Sequence, residues 1–379
     1  MGATKVQPSP AAQLKESSGA QSVSLISAHS SVHTRSDTSP AKQIRTPHVA
    51  GIDSLRIICA VWVVFSHLGG LPLGDILAHV GAPEPIIHFV ASLNGVAFDG
   101  VAAVIVFYVI SGLCIHLPVA STNQLDPVKF WIRRGLRVGA PLVCAVILSK
   151  VLLGRSSILE PVLWSLYCEL IYYAIYPVLL KVASAAGWYL VLAVSVASSA
   201  LTVLLVSNHH GFVWGYGLAL TWIYGLPVWI LGVLLAEHVR KPAPALSRFR
   251  LAGLRLVVWL ASSAATVLHF HSLFHYNFSM LAFSPLAFYW VLEEIRAAQE
   301  RGTSKIIEIC GRASYSVYLC HMIVLAAFAL PPQIEISQFL EVSLACAAFC
   351  ASFYFSIERP SHNLARMLAR RIPAILKVA

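Results

Sequence analysis

Arg56 and His67 stand eleven residues apart inside the first strongly apolar run of this sequence, Gly51 to Gly70. At about 100° per residue, that is three helical turns plus about 20°. Both side chains therefore leave a helix on one face, ~16 Å apart along its axis. A guanidinium in hydrocarbon is costly unless it meets protein, water or an anion. Imidazole is the side chain best suited to taking a proton near neutral pH. A helix carrying both on one face lines a pathway, with an anion held at one end and a proton moved at the other.

Further stretches could add chemistry. Phe107-Tyr-Val-Ile-Ser111-Gly112-Leu113 closes the second apolar run and puts Ser111 level with Arg56. Phe130-Trp-Ile-Arg133-Arg134-Gly-Leu-Arg137 is a basic cluster, expected in a loop that opens the third run. Its guanidiniums can fork onto phosphate oxygens, although ordinary positive charge at one membrane face accounts for the cluster equally well. Glu169, in Leu163-Trp164-Ser165-Leu-Tyr-Cys-Glu169, is expected at the depth of His67. A carboxylate there would fix the imidazole tautomer and raise its basicity; a structural ion pair is the alternative.

His321 closes Ser314-Tyr315-Ser316-Val-Tyr318-Leu-Cys-His321 and is expected at mid-membrane, where an interhelical hydrogen bond is as good a reading as a function. Glu358 and Arg359 read as a structural tie at the rim. His209, His210, His269, His271 and His275 have a spacing open to metal, but no Cys or carboxylate completes a compact set, and no metal is expected.

The elements that must position these groups follow from composition. The chain has 379 residues, 58% hydrophobic and 12% charged, about half the charged share of a soluble domain. Many runs reach the ~20 apolar residues that cross a bilayer, and none alternates as a barrel strand does. An all-α, polytopic transmembrane helical bundle is expected. It has about ten spans: 51–70, 97–117, 138–153, 160–181, 188–206, 214–236, 253–270, 277–293, 313–330 and 338–357. The loop 71–96 lacks Lys and Arg and suits a re-entrant or interfacial piece. The eight cysteines form no CxxC pair and read as small buried hydrophobes.

With the N-terminus placed in the cytoplasm, all Lys and Arg except Arg56, Lys150 and Arg155 fall on cytoplasmic segments. Both termini are therefore expected in the cytoplasm. The net charge of +10 reflects topology and anionic membrane lipids, and no nucleic acid partner is expected. Residues 1–46, polar and without an apolar signal segment, read as a disordered cytoplasmic tail. Residues 47–360 form the membrane domain and 361–379 a basic cytoplasmic tail. No internal repeat is visible, which weighs against a repeat-built transporter.

Taken in order, these pieces resemble the acyltransferase-3 family of integral membrane O-acyltransferases. Arg56-x10-His67 is similar to its basic-x10-His motif, and Phe107-x3-Ser111-Gly112 to its FxxxSG segment. Arg134-Gly-Leu-Arg137, followed by Pro141, matches its RxxR element. Trp164-Ser-Leu-x-x-Glu169 with Tyr172-Tyr173 looks like its WSLxxE…FY motif. Ser314-Tyr315-Ser-x-Tyr318-Leu-x-His321 and Glu358-Arg359-Pro360 resemble its late signatures. The resemblance covers about 51–360. Leu113 stands where Phe is common, and Leu170 where a second acid is frequent.

The resemblance implies transfer of an acetyl or other acyl group from cytoplasmic acyl-CoA, most naturally acetyl-CoA, to a glycan hydroxyl across the membrane. Arg133, Arg134 and Arg137 would hold the nucleotide phosphates, Arg56 the pyrophosphate or pantetheine arm, and Ser111 would hydrogen-bond near the donor. His67 would be general base or transient acyl carrier, oriented by Glu169. Many relatives carry a fused outer esterase-like domain. None is expected here, so transfer would be completed by the membrane domain alone or with a separate partner, such as polysaccharide-assembly proteins. An exopolysaccharide or lipid-linked acceptor at a bacterial inner membrane is the matching context.

Two other classes compete. A transporter or flippase for a sugar or lipid-linked glycan explains the spans and buried charges, but not a basic cluster beside Arg56. A sensor or scaffold without chemistry leaves the burial of Arg56 and His67 unexplained.

Overall fold

The computed structural model describes residues 49–122, 124–206, 213–241, 243–270, 276–330 and 334–372. The tail expected over 1–46 lies outside the described residues, as do His209, His210, His271, His275 and the side chain of His269. Every regular element among the described residues is helical. In chain order these are α1 (Ile52–His67), α2 (Leu73–His79), α3 (Glu84–Ala97), α4 (Gly100–Thr122) and α5 (Pro127–Leu153). There follow α6 (Glu160–Ala186), α7 (Trp188–Leu205), α8 (Gly217–His238), α9 (Arg248–Phe270) and α10 (Tyr276–Arg301). The chain ends through α11 (Lys305–Gly311), α12 (Ser314–Phe328), α13 (Ile336–Phe353) and α14 (Arg359–Arg371), with a π-helical turn, Tyr354–Glu358, between the last two.

Eight helical segments are long and apolar enough to cross a membrane, and α11 with α12, bent by 63°, makes a ninth. The remaining expected span is α1, whose 16 residues rise only ~24 Å. Each of the ten expected runs is thus a helix, in a multi-pass membrane bundle. The loop 71–96 contains α2 and most of α3, and along it Ile76, Val80, Ile86, Phe89 and Leu93 are exposed.

Local chemistry sets the boundaries. Asp126 caps α5, its side chain accepting the Lys129 N–H at 3.1 Å, and Pro127 occupies the first helical position. The basic cluster therefore lies within a helix, not in the loop that apolar runs alone suggested. Along that helix Arg134 and Arg137 line an internal cavity, whereas Arg133 is exposed.

α4 is apolar all round and buried along most of its length, which makes it the axis of the bundle. It crosses α8 at Gly112 and Gly232. A Cβ on Gly112 would overlap the Trp229 carbonyl oxygen, and one on Gly232 the Val109 carbonyl oxygen. Only small residues let helix backbones meet this closely. The outer helices α5 and α7 instead turn Val143, Ile147 and Val151, and Leu190, Val194 and Leu201, outward. The segment expected as a tail from residue 361 is helical to Arg371, and α14 rests on α5 through Ser361, whose Oγ donates to the Leu136 carbonyl at 2.6 Å.

Candidate active site

The levels of the site residues follow from one close approach. A Cβ on Gly100 would lie 2.9 Å from Ser66 Oγ, so the start of α4 stands beside the end of α1. Counting ten residues back along α1 gives Arg56; counting eleven forward along antiparallel α4 gives Ser111. Each descent is ~15–16 Å, so the two are level, as the sequence suggested.

Glu169 does not stand where it was expected. Ser111 Oγ donates to Glu169 Oε1 at 2.7 Å, and the Tyr173 hydroxyl donates to the same oxygen. Trp229 Nε1 donates to Ser111 Oγ at 3.2 Å. Glu169 thus belongs to the Arg56 level, and the role of orienting His67 is not its own. Nine residues separate it from the start of α6, ~13 Å of descent, which carries it past the first turns.

Around this level α1, α4, α5, α6, α12 and α14 enclose a cavity of about 830 Å³ including its mouth. Arg56, Arg134, Arg137 and His362 supply its basic groups, and Glu169 its lining carboxylate. Arg134 Nη2 donates to the Cys114 carbonyl at 3.2 Å, and its guanidinium lies 5.9 Å from the centre of the Tyr173 ring. Among the described residues, neither Arg56 nor Arg137 makes a hydrogen bond or ion pair; the fields of Asp53, Glu358 and Glu169 reach Arg56. Cations held in a protein within a bilayer, in a cavity and without bonded partners, form a receptor for an anion. Arg133 is exposed and donates to the Lys129 carbonyl at 3.2 Å. It does not join the cavity.

The structure adds groups that the sequence reading did not place here. Glu358, read there as a rim tie, is 1% exposed. Its Oε2 accepts the Ser316 N–H at 3.0 Å and the Ser316 hydroxyl at 2.5 Å. The π-helical turn aims it at the first turn of α12, where backbone N–H groups favour an anion, and its field reaches Arg56 and Arg137. His362, one turn on, stands 3.7 Å from Glu358 Oε1. The signal available was the Glu358-x3-His362 spacing, which puts both on one helical face.

His67 lies beyond the cavity. Its Nδ1 is 3.0 Å from the Val63 carbonyl oxygen and 3.2 Å from Nε2 of His321. His321 Nδ1 is 3.0 Å from the Val317 carbonyl oxygen. Carbonyl oxygens only accept, so each Nδ1 carries a proton and His321 Nε2 is an acceptor. His67 Nε2 has no partner among the described residues, and the His67 ring is exposed, whereas His321 is fully buried. One turn below His321, Tyr318 lines the far end of the cavity; Ser165 Oγ is 2.6 Å from its hydroxyl, and Phe107 packs edge-on at 5.6 Å. The cavity and His67 are therefore linked through α12, with the Tyr318 and His321 ring centres 6.3 Å apart.

Among the described residues no group of three His, Cys, Asp or Glu is placed to hold a metal. A family model described as an acyltransferase domain, of the acyltransferase-3 type, matches residues 49–357. No curated protein and no solved structure matches the chain.

Proposed function

The chain belongs to the acyltransferase-3 family and is a membrane acyltransferase, and from that premise we propose that its donor is acyl-CoA, its transferred group acetyl, and its acceptor a glycan hydroxyl. The observation that carries this reading is the pair of unbonded guanidiniums, Arg56 and Arg137, facing one cavity with Arg134. A diphosphate with its nucleotide is an anion of matching charge, and guanidinium forks fit phosphate oxygens. Glu169, Ser111 and Tyr173 offer polar partners to the amides of a pantetheine arm, and the Tyr318 end of the cavity points the thioester towards His67.

His67 Nε2 takes the proton of the acceptor hydroxyl as that oxygen bonds to the thioester carbonyl carbon. The carbon–sulfur bond breaks, and the departing thiolate receives the proton, giving ester and thiol. Transfer through an acyl-histidine differs only in placing His67 Nε2 on the carbonyl carbon first. The donor enters from the cytoplasm and the acceptor is an extracytoplasmic or lipid-linked glycan, an exopolysaccharide being the matching class, at a bacterial inner membrane.

Acetyl-CoA binding to the purified protein in detergent tests the donor assignment without an acceptor. Saturable binding is expected, with an affinity at least about tenfold weaker in Arg56→Ala, the value of one charge-assisted hydrogen bond. Folded wild-type protein that binds no acetyl-CoA would return the site to a transport path.

A further inference from the structure

We propose that His321 is a positioning residue for His67, holding it in the tautomer that leaves Nε2 free to take the acceptor proton. This rests on the acyltransferase reading given above. His67 on α1 and His321 on α12 meet through His67 Nδ1 and His321 Nε2 at 3.2 Å. The Val317 carbonyl occupies the Nδ1–H of His321, which fixes the His321 lone pair towards its neighbour. Val63 and His321 share the Nδ1–H of His67, so its other nitrogen is the unprotonated one.

The pairing suits a site inside a membrane. When His67 Nε2 accepts the hydroxyl proton, the ring becomes an imidazolium, and its Nδ1–H bond to a waiting lone pair strengthens. A carboxylate in the place of His321 would do the same, but would carry a buried charge through the whole cycle. Neutral imidazole meets the charge only while it exists. A space-filling role alone would be served by an apolar side chain, with no polar nitrogen to satisfy at full burial. His321 touches neither donor nor acceptor in this scheme; it acts through His67.

The test uses the full chain in nanodiscs with 15N-labelled histidine, the His67 signals being those lost in His67→Ala. Wild type is expected to show a protonated Nδ1 and an unprotonated Nε2 at His67. His321→Ala, which leaves only the Val63 carbonyl on that N–H, should raise the share of the other tautomer, and His321→Gln, whose amide oxygen accepts the same N–H, should restore the wild-type pattern. In membrane vesicles containing the chain and its own acceptor, thiol release from acetyl-CoA is counted only for the part lost in His67→Ala. That rate should fall about 10- to 100-fold in His321→Ala and recover in part in His321→Gln, with acetyl-CoA affinity within about twofold of wild type throughout, which also reports the fold. An unchanged His67 tautomer and rate in His321→Ala would overturn the assignment. Wild type that neither binds acetyl-CoA nor releases thiol would instead remove the acyltransferase reading, while the tautomer comparison still decides the pair.

Discussion

Replacing Gly112 by Ala adds one methyl group where α4 and α8 meet backbone to backbone. In an ordinary helix the change stabilises by about 1 kcal/mol, because Ala orders more cheaply than Gly. Here the new Cβ would overlap the Trp229 carbonyl oxygen, approach Val233 N to 2.9 Å and approach the Gly232 carbonyl carbon to 3.1 Å. All three are backbone atoms, so no side chain can swing away, and α4 and α8 must part. Overpacking of this kind costs about 1–3 kcal/mol or more, which outweighs the propensity gain. The separation also pulls Trp229 Nε1 from Ser111 Oγ, now 3.2 Å away, and so loosens the Ser111–Glu169 contact. Gly135→Ala is the matched control, since a Cβ there meets nothing within 4 Å. Thermal unfolding in detergent should show Gly112→Ala melting lower than wild type and Gly135→Ala equal or higher, and acetyl-CoA affinity should fall only in the former. A Gly112→Ala protein as stable as Gly135→Ala would refute the close-crossing argument.

Arg137→Ala should weaken acetyl-CoA binding about tenfold or more, while Arg133→Ala, exposed and outside the cavity lining, should leave it within about twofold; equal losses in a binding titration would show that net charge, not the cavity, governs donor affinity. Asn94, 8% exposed, accepts the Leu71 N–H at 3.1 Å and donates to the Leu71 carbonyl at 2.7 Å and the Gly69 carbonyl at 3.4 Å, clamping the turn that follows His67. Asn94→Ala should cost about 1–3 kcal/mol and raise amide hydrogen exchange over residues 68–72, and unchanged exchange there would return Asn94 to a surface role.

How much of this was legible depends on what a single chain encodes locally. Arg56 and Ser111 could be brought to one level because each sits a countable distance from a span edge. Arg134 and Arg137, expected in a loop, join them because α5 begins at Pro127 and takes both into the helix. Glu169 was misplaced although its span was expected to begin at 160, where α6 does begin: nine residues at 1.5 Å each carry its side chain past the outer turns, a descent that reading it beside His67 left uncounted. Glu358 was read as a rim residue because the wide π-helical turn rephases the residues after Phe353, which a period of 3.6 does not foresee. The bond between His67 and His321 joins positions 254 apart in sequence, and such a meeting leaves no trace in the periodicity of either helix.

A protein that holds a water-sized passage through a bilayer is a channel, and a cell that energises its membrane cannot tolerate one. The layer formed by Phe107, Tyr318 and Ser165, with the Ser165–Tyr318 hydrogen bond of 2.6 Å, has a meaning in those terms. It closes one end of the cavity, aromatic where ions would need hydration, with the Ser165 and Tyr318 hydroxyls bonded to each other. An acetyl group is small and uncharged enough to cross such a seal by a side-chain swing, whereas a hydrated cation or a nucleotide is not. On the function proposed above, the side chains between the arginines and His67 would let an acyl group cross the membrane dielectric while the electrical potential across it stays intact.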